Sequence, residues 1–318
     1  MSMRVHRSSR RPALLLTLFL GALPLVASAP SVSARAAAIQ DAAPAAAAGG
    51  TLAPHAEKSL RFAVIGDSGT GDKPQYQVGE RMNESRSVFP YEFVLMLGDN
   101  IYGSEDFPKK FERPYKALLD LKIPFYASLG NHDDPNQRFY KPFNMDGKRY
   151  YTFEKEGARF FALDSNYMDQ PQVDWLEKEL SGSKNTWKIV YFHHPLYSSG
   201  ARHGSEVDLR TVLEPLFLKY GVSVVFSGHE HFYERLKPQN GITYITNGGA
   251  AKLREGNIRV GSEMTAKGFD TDRSYMLVEI DDKTMHFQAL SRTGELVDSG
   301  SVEAVKAPPR PPSDGAVR

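Results

Sequence analysis

Cysteine is missing from all 318 residues. That absence excludes disulfides, thiolate metal sites, cysteine nucleophiles and a lipid-modified cysteine behind an export leader. A metal would have to be held by carboxylate, imidazole, amide or phenolate groups. An excess of charge of one sign is missing too, since 39 Lys and Arg residues face 38 Asp and Glu. Composition therefore gives no reason to expect nucleic acid or an anionic membrane surface as a partner, and any phosphate recognition must be local. Long apolar runs are scarce. The extended one, residues 13–29, contains Gly21 and Pro24, is short for a membrane-spanning helix and leads into Ala/Ser/Pro sequence.

That run does have the form of an export leader. Arg4, Arg7, Arg10 and Arg11 precede it and small residues follow, so residues 1–34 read as a signal peptide. The mature chain is expected to be periplasmic or secreted, without a permanent membrane anchor. Arg10 and Arg11 fit the twin-arginine route, although charged leaders carry such pairs by chance. Residues 35–58 are Ala-rich with almost no large apolar side chain and read as a flexible linker, and the Pro-rich residues 306–318 as a disordered tail. Residues 59–305 remain, enough for one domain with a sizeable core.

Within that domain short apolar runs suited to buried strands recur at 62–65, 93–97, 125–129, 160–163, 187–192 and 222–226. Helical spacing intervenes at 107–121, 171–180 and 207–220, the last closed by Gly221. Further strands are expected at 244–246, 275–280, 285–290 and 296–302. The pattern predicts an α/β fold of two packed sheets flanked by helices.

The informative feature is what ends the strands. Phe62-Ala-Val-Ile65 runs into Gly66-Asp67, the run at 93–97 into Gly98-Asp99-Asn100-Ile101-Tyr102, and the run at 125–129 into Gly130-Asn131-His132-Asp133. The run at 222–226 continues into Ser227-Gly228-His229-Glu230-His231. Loops at the carboxyl ends of strands are where α/β sheets collect ligands. Four strands deliver a glycine and a metal-capable side chain to one edge.

In that order these pieces, together with Val190-Tyr-Phe-His193, resemble the calcineurin-like metallophosphoesterase superfamily, and within it the purple, tartrate-resistant type of acid phosphatase. The resemblance spans roughly residues 61–251 and implies a four-layer α/β/β/α sandwich in a single domain. It implies two metal ions, one on Asp67, Asp99, Tyr102 and His231 and the other on Asp99, Asn131, His193 and His229, with Asp99 shared. The Tyr102 phenolate implies Fe(III) in the first site, and the second suits Fe, Zn or Mn(II). A trivalent and a divalent ion against Asp67, Asp99 and the phenolate leave positive charge that attracts phosphate, even with a bridging hydroxide. The implied reaction is hydrolysis of a small phosphomonoester by in-line attack of a metal-bound hydroxide, with His132 or His203 protonating the leaving oxygen. A phosphodiesterase on the same scaffold, a non-catalytic metal-binding protein and a simple metal carrier are the competing readings.

Other polar residues read as structural or stay open. His194 either lines the pocket or lies beside it, with the latter expected. Asp164 is expected to make loop hydrogen bonds. Asp133 and Asp134 could orient His132 or form a solvated turn. Glu230 should point away from any metal, because alternate residues of an extended segment face opposite sides. His55 and His286 match no motif.

Overall fold

The computed structural model describes residues 54–305. The expected leader at 1–34, residues 35–53 of the expected linker and the tail at 306–318 lie outside the described residues. Within them the chain runs β1 (Leu60–Ile65), α1 (Lys73–Arg86), β2 (Phe93–Met96), α2 (Lys116–Asp120), β3 (Phe125–Ala127), β4 (Tyr151–Lys155), β5 (Ala158–Ala162), α3 (Gln170–Gly182) and β6 (Trp187–Phe192). It continues as α4 (Val207–Tyr220), β7 (Val224–Ser227), β8 (Tyr233–Leu236), β9 (Thr243–Asn247), β10 (Thr265–Phe269), β11 (Ser274–Asp281), β12 (Thr284–Ser291) and β13 (Leu296–Glu303). A first sheet has the order β13-β12-β11-β1-β2-β3 and a second the order β10-β8-β9-β7-β6-β5-β4.

Side-chain alternation builds the layers. In β6, Trp187, Ile189 and Tyr191 join the core shared by the two sheets, while Val190 and Phe192 turn to a second core with Leu176 and Leu180 of α3 and Leu213 and Phe217 of α4. In β5 Phe160 and Phe161 divide in the same way. On the first sheet α1 buries Val78 and Met82. The result is the expected α/β/β/α sandwich. The sheets dock through aromatic rings: Phe62 and Phe93 of the first sheet each meet Phe160 of the second edge-on, with ring centres 5.4 Å apart.

Strand register then aligns the loops. β1 and β2 are parallel with Ile65 opposite Met96, so Asp67 N donates to Gly98 O at 3.0 Å just past the strand ends. β6 and β7 are parallel with Phe192 opposite Ser227, and Gly228 N donates to His193 O at 2.9 Å. The first sheet thus supplies the loops of Asp67, Asp99 and Asn131, and the second those of His193 and His229.

The helix expected at 107–121 is broken. Pro108–Glu112 forms a single π-type turn and α2 starts only at Lys116. Pro114 lacks an N–H and cannot bond the carbonyl of Lys110 four residues back; that carbonyl accepts instead from Gln75 Nε2 at 2.5 Å. Helix α1 carries no strong apolar period, because its inward face consists of Gln75, Val78, Gly79, Met82 and Ser85. Strands β4, β8 and β10 also lack an apolar run; β8 buries Glu234 and Arg235, each with polar partners. The chain is also anchored before Ser59. Glu279 of β11 accepts hydrogen bonds from His55 N and Ala56 N, and the His55 ring stacks on His286 with centres 3.9 Å apart.

Phe160 is fully buried against Phe62, Phe93 and Phe153. Phe160→Ala should cost about 3–5 kcal/mol through the cavity it leaves between the sheets. Denaturant unfolding should show the midpoint falling without a change in slope; a loss under 1 kcal/mol would mean that the sheets do not dock through this ring.

Candidate metal centre

The seven candidate ligands converge into two groups of donor atoms. In the first, Tyr102 Oη donates to Asp67 Oδ1 at 2.8 Å and lies 3.2 Å from His231 Nε2, which is itself 3.3 Å from Asp67 Oδ1. Ligand atoms of Asp67, Asp99 and His231 all lie within 4.8 Å of one another. In the second, Asn131 Oδ1 lies 3.0 Å from both His193 Nε2 and His229 Nδ1, and the two nitrogens are 3.1 Å apart. Asp99 stands between the groups, with Oδ1 3.4 Å from His193 Nε2.

Hydrogen bonding indicates what these atoms can accept. His193 Nδ1 must donate to Leu97 O at 2.9 Å, which leaves a lone pair on Nε2. That lone pair faces the oxygens of Asn131 and Asp99, so acceptor meets acceptor. Asp99 Oδ2 is buried with no hydrogen-bond partner. A cation among these atoms satisfies both features, and hard oxygen mixed with imidazole suits iron, zinc or manganese. Burial, then Asp99, raises the pKa of Asp67 well above the usual carboxylate range. Burial, then Asp67, likewise pushes the Tyr102 phenol far up. Burial lowers the imidazole pKa at His193 and His229, and at His231 to about 4, keeping each ring neutral with one nitrogen lone pair to offer. A bound cation reverses the sense of the acidic shifts.

The backbone pays for this convergence. Asp67, Asp99 and His229 have φ of 53°, 52° and 69°, a left-handed conformation that costs a non-glycine residue on the order of 1–3 kcal/mol. At Gly130 an added Cβ would fall 2.2 Å from Asp99 Oδ1, so only glycine lets the β3 loop pass the shared carboxylate.

The histidines expected to act on the substrate flank the ligands. His132 is exposed, its N–H donates to Asp99 Oδ1 at 2.9 Å, and its ring centre is 5.0 Å from that of Tyr102. His203 is exposed on the opposite flank, 4.2 Å from the His229 ring. His194 does not lie outside the pocket. It lines a cavity of about 600 Å³ with Asn131, Arg149 and Asn166, and Ser165 holds its Nδ1 at 2.8 Å. Asp133 neither orients His132 nor forms a solvated turn; it is buried and accepts from Gly130 N, Ile101 N and Asn100 Nδ2, tying the β2 and β3 loops together. Asp164 pairs with Arg149 and accepts from Asn166 N, as expected of a loop residue.

Residues 60–233 match the family described as Calcineurin-like phosphoesterase. The chain belongs to the calcineurin-like phosphoesterase family. Among curated relatives it is 25% identical over 303 residues to the human tartrate-resistant acid phosphatase type 5, covering 77% of this chain and 91% of that protein. It is 35% identical over 247 residues to the Fe(3+)-Zn(2+) purple acid phosphatase 12 of Arabidopsis thaliana, covering 66% of this chain and 52% of the relative. A solved structure of GAP50, the anchor in the inner membrane complex of Plasmodium, shares the fold with a TM-score of 0.66 at 22% identity over 78% of this chain and 90% of that one. This calcineurin-like phosphoesterase is therefore a hydrolase of phosphoric esters with a binuclear metal centre.

Sequence reasoning missed Lys252 and Arg254. Lys252 Nζ sits 4.4 Å over the Tyr102 ring, and Arg254 N donates to His231 O at 3.0 Å. The signal was present: β9 runs into Gly248-Gly249 as the ligand strands run into glycine, and a Cβ at Gly248 would meet Asp67 Oδ2 at 2.6 Å.

Asp99→Asn should reduce the metal content of both sites and lower turnover by on the order of a thousandfold. Metal analysis and kinetics on one preparation check this, and a variant with full metal content and a tenth of the activity would deny Asp99 its shared position.

Proposed function

We propose that this chain is an exported phosphomonoesterase of the purple acid phosphatase type, acting on small phosphate esters in the periplasm or outside the cell. Asp67, Asp99, Tyr102 and His231 would hold Fe(III), and Asp99, Asn131, His193 and His229 would hold Fe, Zn or Mn(II). The observation that carries the reading is Tyr102, whose phenol oxygen stands 2.8 Å from Asp67 Oδ1 and 3.2 Å from His231 Nε2. A phenolate there is a hard anionic donor suited to a trivalent ion. Bound in these sites, the ions would supply Lewis acidity toward phosphate oxygens and an activated water.

The chain's own residues do the rest. The Leu97 carbonyl fixes the His193 tautomer and so aims Nε2 at the site. His132, beside Tyr102, and His203, beside His229, would contact the phosphate, and one of them would donate a proton to the departing oxygen. Burial, then Arg254 and Arg202, lowers the His203 pKa, so that its ring carries the second proton only toward acid pH. The export reading rests on the sequence of residues 1–34. Among the described residues no helix is long and apolar enough to cross a membrane.

The oxidised, iron-loaded protein should show a broad visible charge-transfer band that Tyr102→Phe abolishes, while part of the activity survives on the remaining donors. An active, iron-loaded wild type without the band would place Tyr102 off the metal and favour two divalent ions. Rates on 4-nitrophenyl phosphate should exceed those on bis(4-nitrophenyl) phosphate; the reverse order would make the enzyme a diesterase.

A further inference from the structure

Glu230 stands between His229 and His231 and turns away from both groups of donors. Its side chain is fully buried. Oε1 accepts from Gly204 N at 2.8 Å and His203 N at 3.3 Å, and Oε2 accepts from Asn257 Nδ2 at 3.0 Å and lies 3.4 Å from an Arg254 guanidinium nitrogen. One carboxylate thereby gathers two loops, one carrying His203 and one carrying Arg254, onto the segment that carries two candidate ligands. The fit is close, since a Cβ at Gly200 would fall 1.9 Å from Glu230 Oε1.

A second buried acid holds the start of the same loop. Glu234 Oε2 accepts from Ser199 N at 3.0 Å and from Ser198 Oγ at 3.3 Å, and its Oε1 accepts from Thr265 Oγ1 at 2.6 Å. Glu230 is the acid that touches the His203 end. Apolar packing could hold an exposed loop without desolvating a carboxylate, whose burial costs several kcal/mol before its hydrogen bonds offset it. What a carboxylate adds is direction: it draws the His203 and Gly204 N–H groups to a point fixed by its neighbours in sequence. Those neighbours are His229, whose ring lies against His203, and His231, beside Tyr102.

We propose that Glu230 is a positioning residue that couples the His229–His231 segment to the His203 loop, so that fixing those two histidines on metal also steadies the His203 end of the loop over the site. The proposal rests on the reading of His203 as proton donor to the leaving group. Backbone pairing with residues 257–259 and Glu234 hold the rest of the loop, so Glu230 links only its His203 end to the segment of the two histidines.

Two readouts test it. The first is amide hydrogen exchange of residues 198–206 in metal-loaded and metal-depleted protein. In the wild type, loading should slow exchange at His203 and Gly204 by about tenfold or more. In Glu230→Ala these amides should exchange at the depleted rate in both states. Glu230→Gln keeps an oxygen for the loop amides and should give intermediate protection, and it serves if the alanine variant does not fold. The second readout is kinetic. Glu230→Ala should retain its metals and its KM but lose kcat by about a hundredfold on an alkyl phosphate and far less on 4-nitrophenyl phosphate, whose leaving group needs no proton.

Loop exchange indifferent to metal and to both substitutions would overturn the proposal, as would equal losses on the two substrates with protection retained. Loss of metal from both variants would overturn it too, by making Glu230 a support of the ligands themselves. His203→Ala separates the two readings. If that variant shows no dependence on the leaving group, His203 is not the proton donor, and the exchange measurement still decides the coupling.

Discussion

Lone pairs that face one another with no proton between them set the terms for the rest of this structure. His193 spends its only proton on the Leu97 carbonyl, and its other nitrogen looks onto the oxygens of Asn131 and Asp99. With His193 and Asp99 buried, such an arrangement is repulsive and costly on that side. Three of the seven candidate ligands, Asp67, Asp99 and His229, also sit in a left-handed backbone conformation. The sandwich around them is what holds the arrangement in place: buried parallel strands, fixed in register, leave the loops at their ends little freedom to relax. A rigid scaffold that holds an unfavourable polar cluster is what a cation site requires before the cation arrives.

Fold alone would not carry the functional conclusion, because one scaffold supports many roles. The Plasmodium structure that shares this fold is described as an anchor. The particular donor set separates a hydrolase from a bare scaffold here. Carboxylate, amide, phenol and imidazole come from five loops and two sheets, and exposed histidines stand on both flanks. Neutral imidazoles beside Asp67, whose pKa burial raises, form a cluster poised to exchange protons for metal.

The positions legible in the sequence were those where local and global signals agreed. An apolar run ending in glycine and a polar donor marks a strand, its edge and its cargo at once, so Asp67, Asp99, Asn131 and His229 could be placed from sequence. Helix α4 was legible because Gly221 closes it in a left-handed conformation. Where tertiary contacts replaced local ones the signal failed. Pro114 breaks the helix at 107–121, and the carbonyl it frees is satisfied by Gln75, 35 positions from Lys110 and out of reach of a local pattern. Helix α1 packs through glutamine, glycine and serine as much as through Val78 and Met82, and β8 buries charge, so neither shows an apolar period. Asp133 looked like a turn residue because its partners, in the β2 loop, are distant in sequence.

The division of donors between the sheets has a mechanical side. Asp67, Asp99 and Asn131 ride on the first sheet and His193, His229 and His231 on the second, and between the sheets lie edge-on rings and a few hydrogen bonds such as that of Tyr151 to the Ala127 carbonyl. Ions bridging the two sets would act as a staple across the sandwich, adding their binding free energy to sheet docking. At a free-ion concentration a hundred times the dissociation constant that addition is about 2.7 kcal/mol per ion. The same atoms would then set both the chemistry and the shear resistance of the fold, and a protein stripped of its ions would lose cohesion along the plane where its ligands meet.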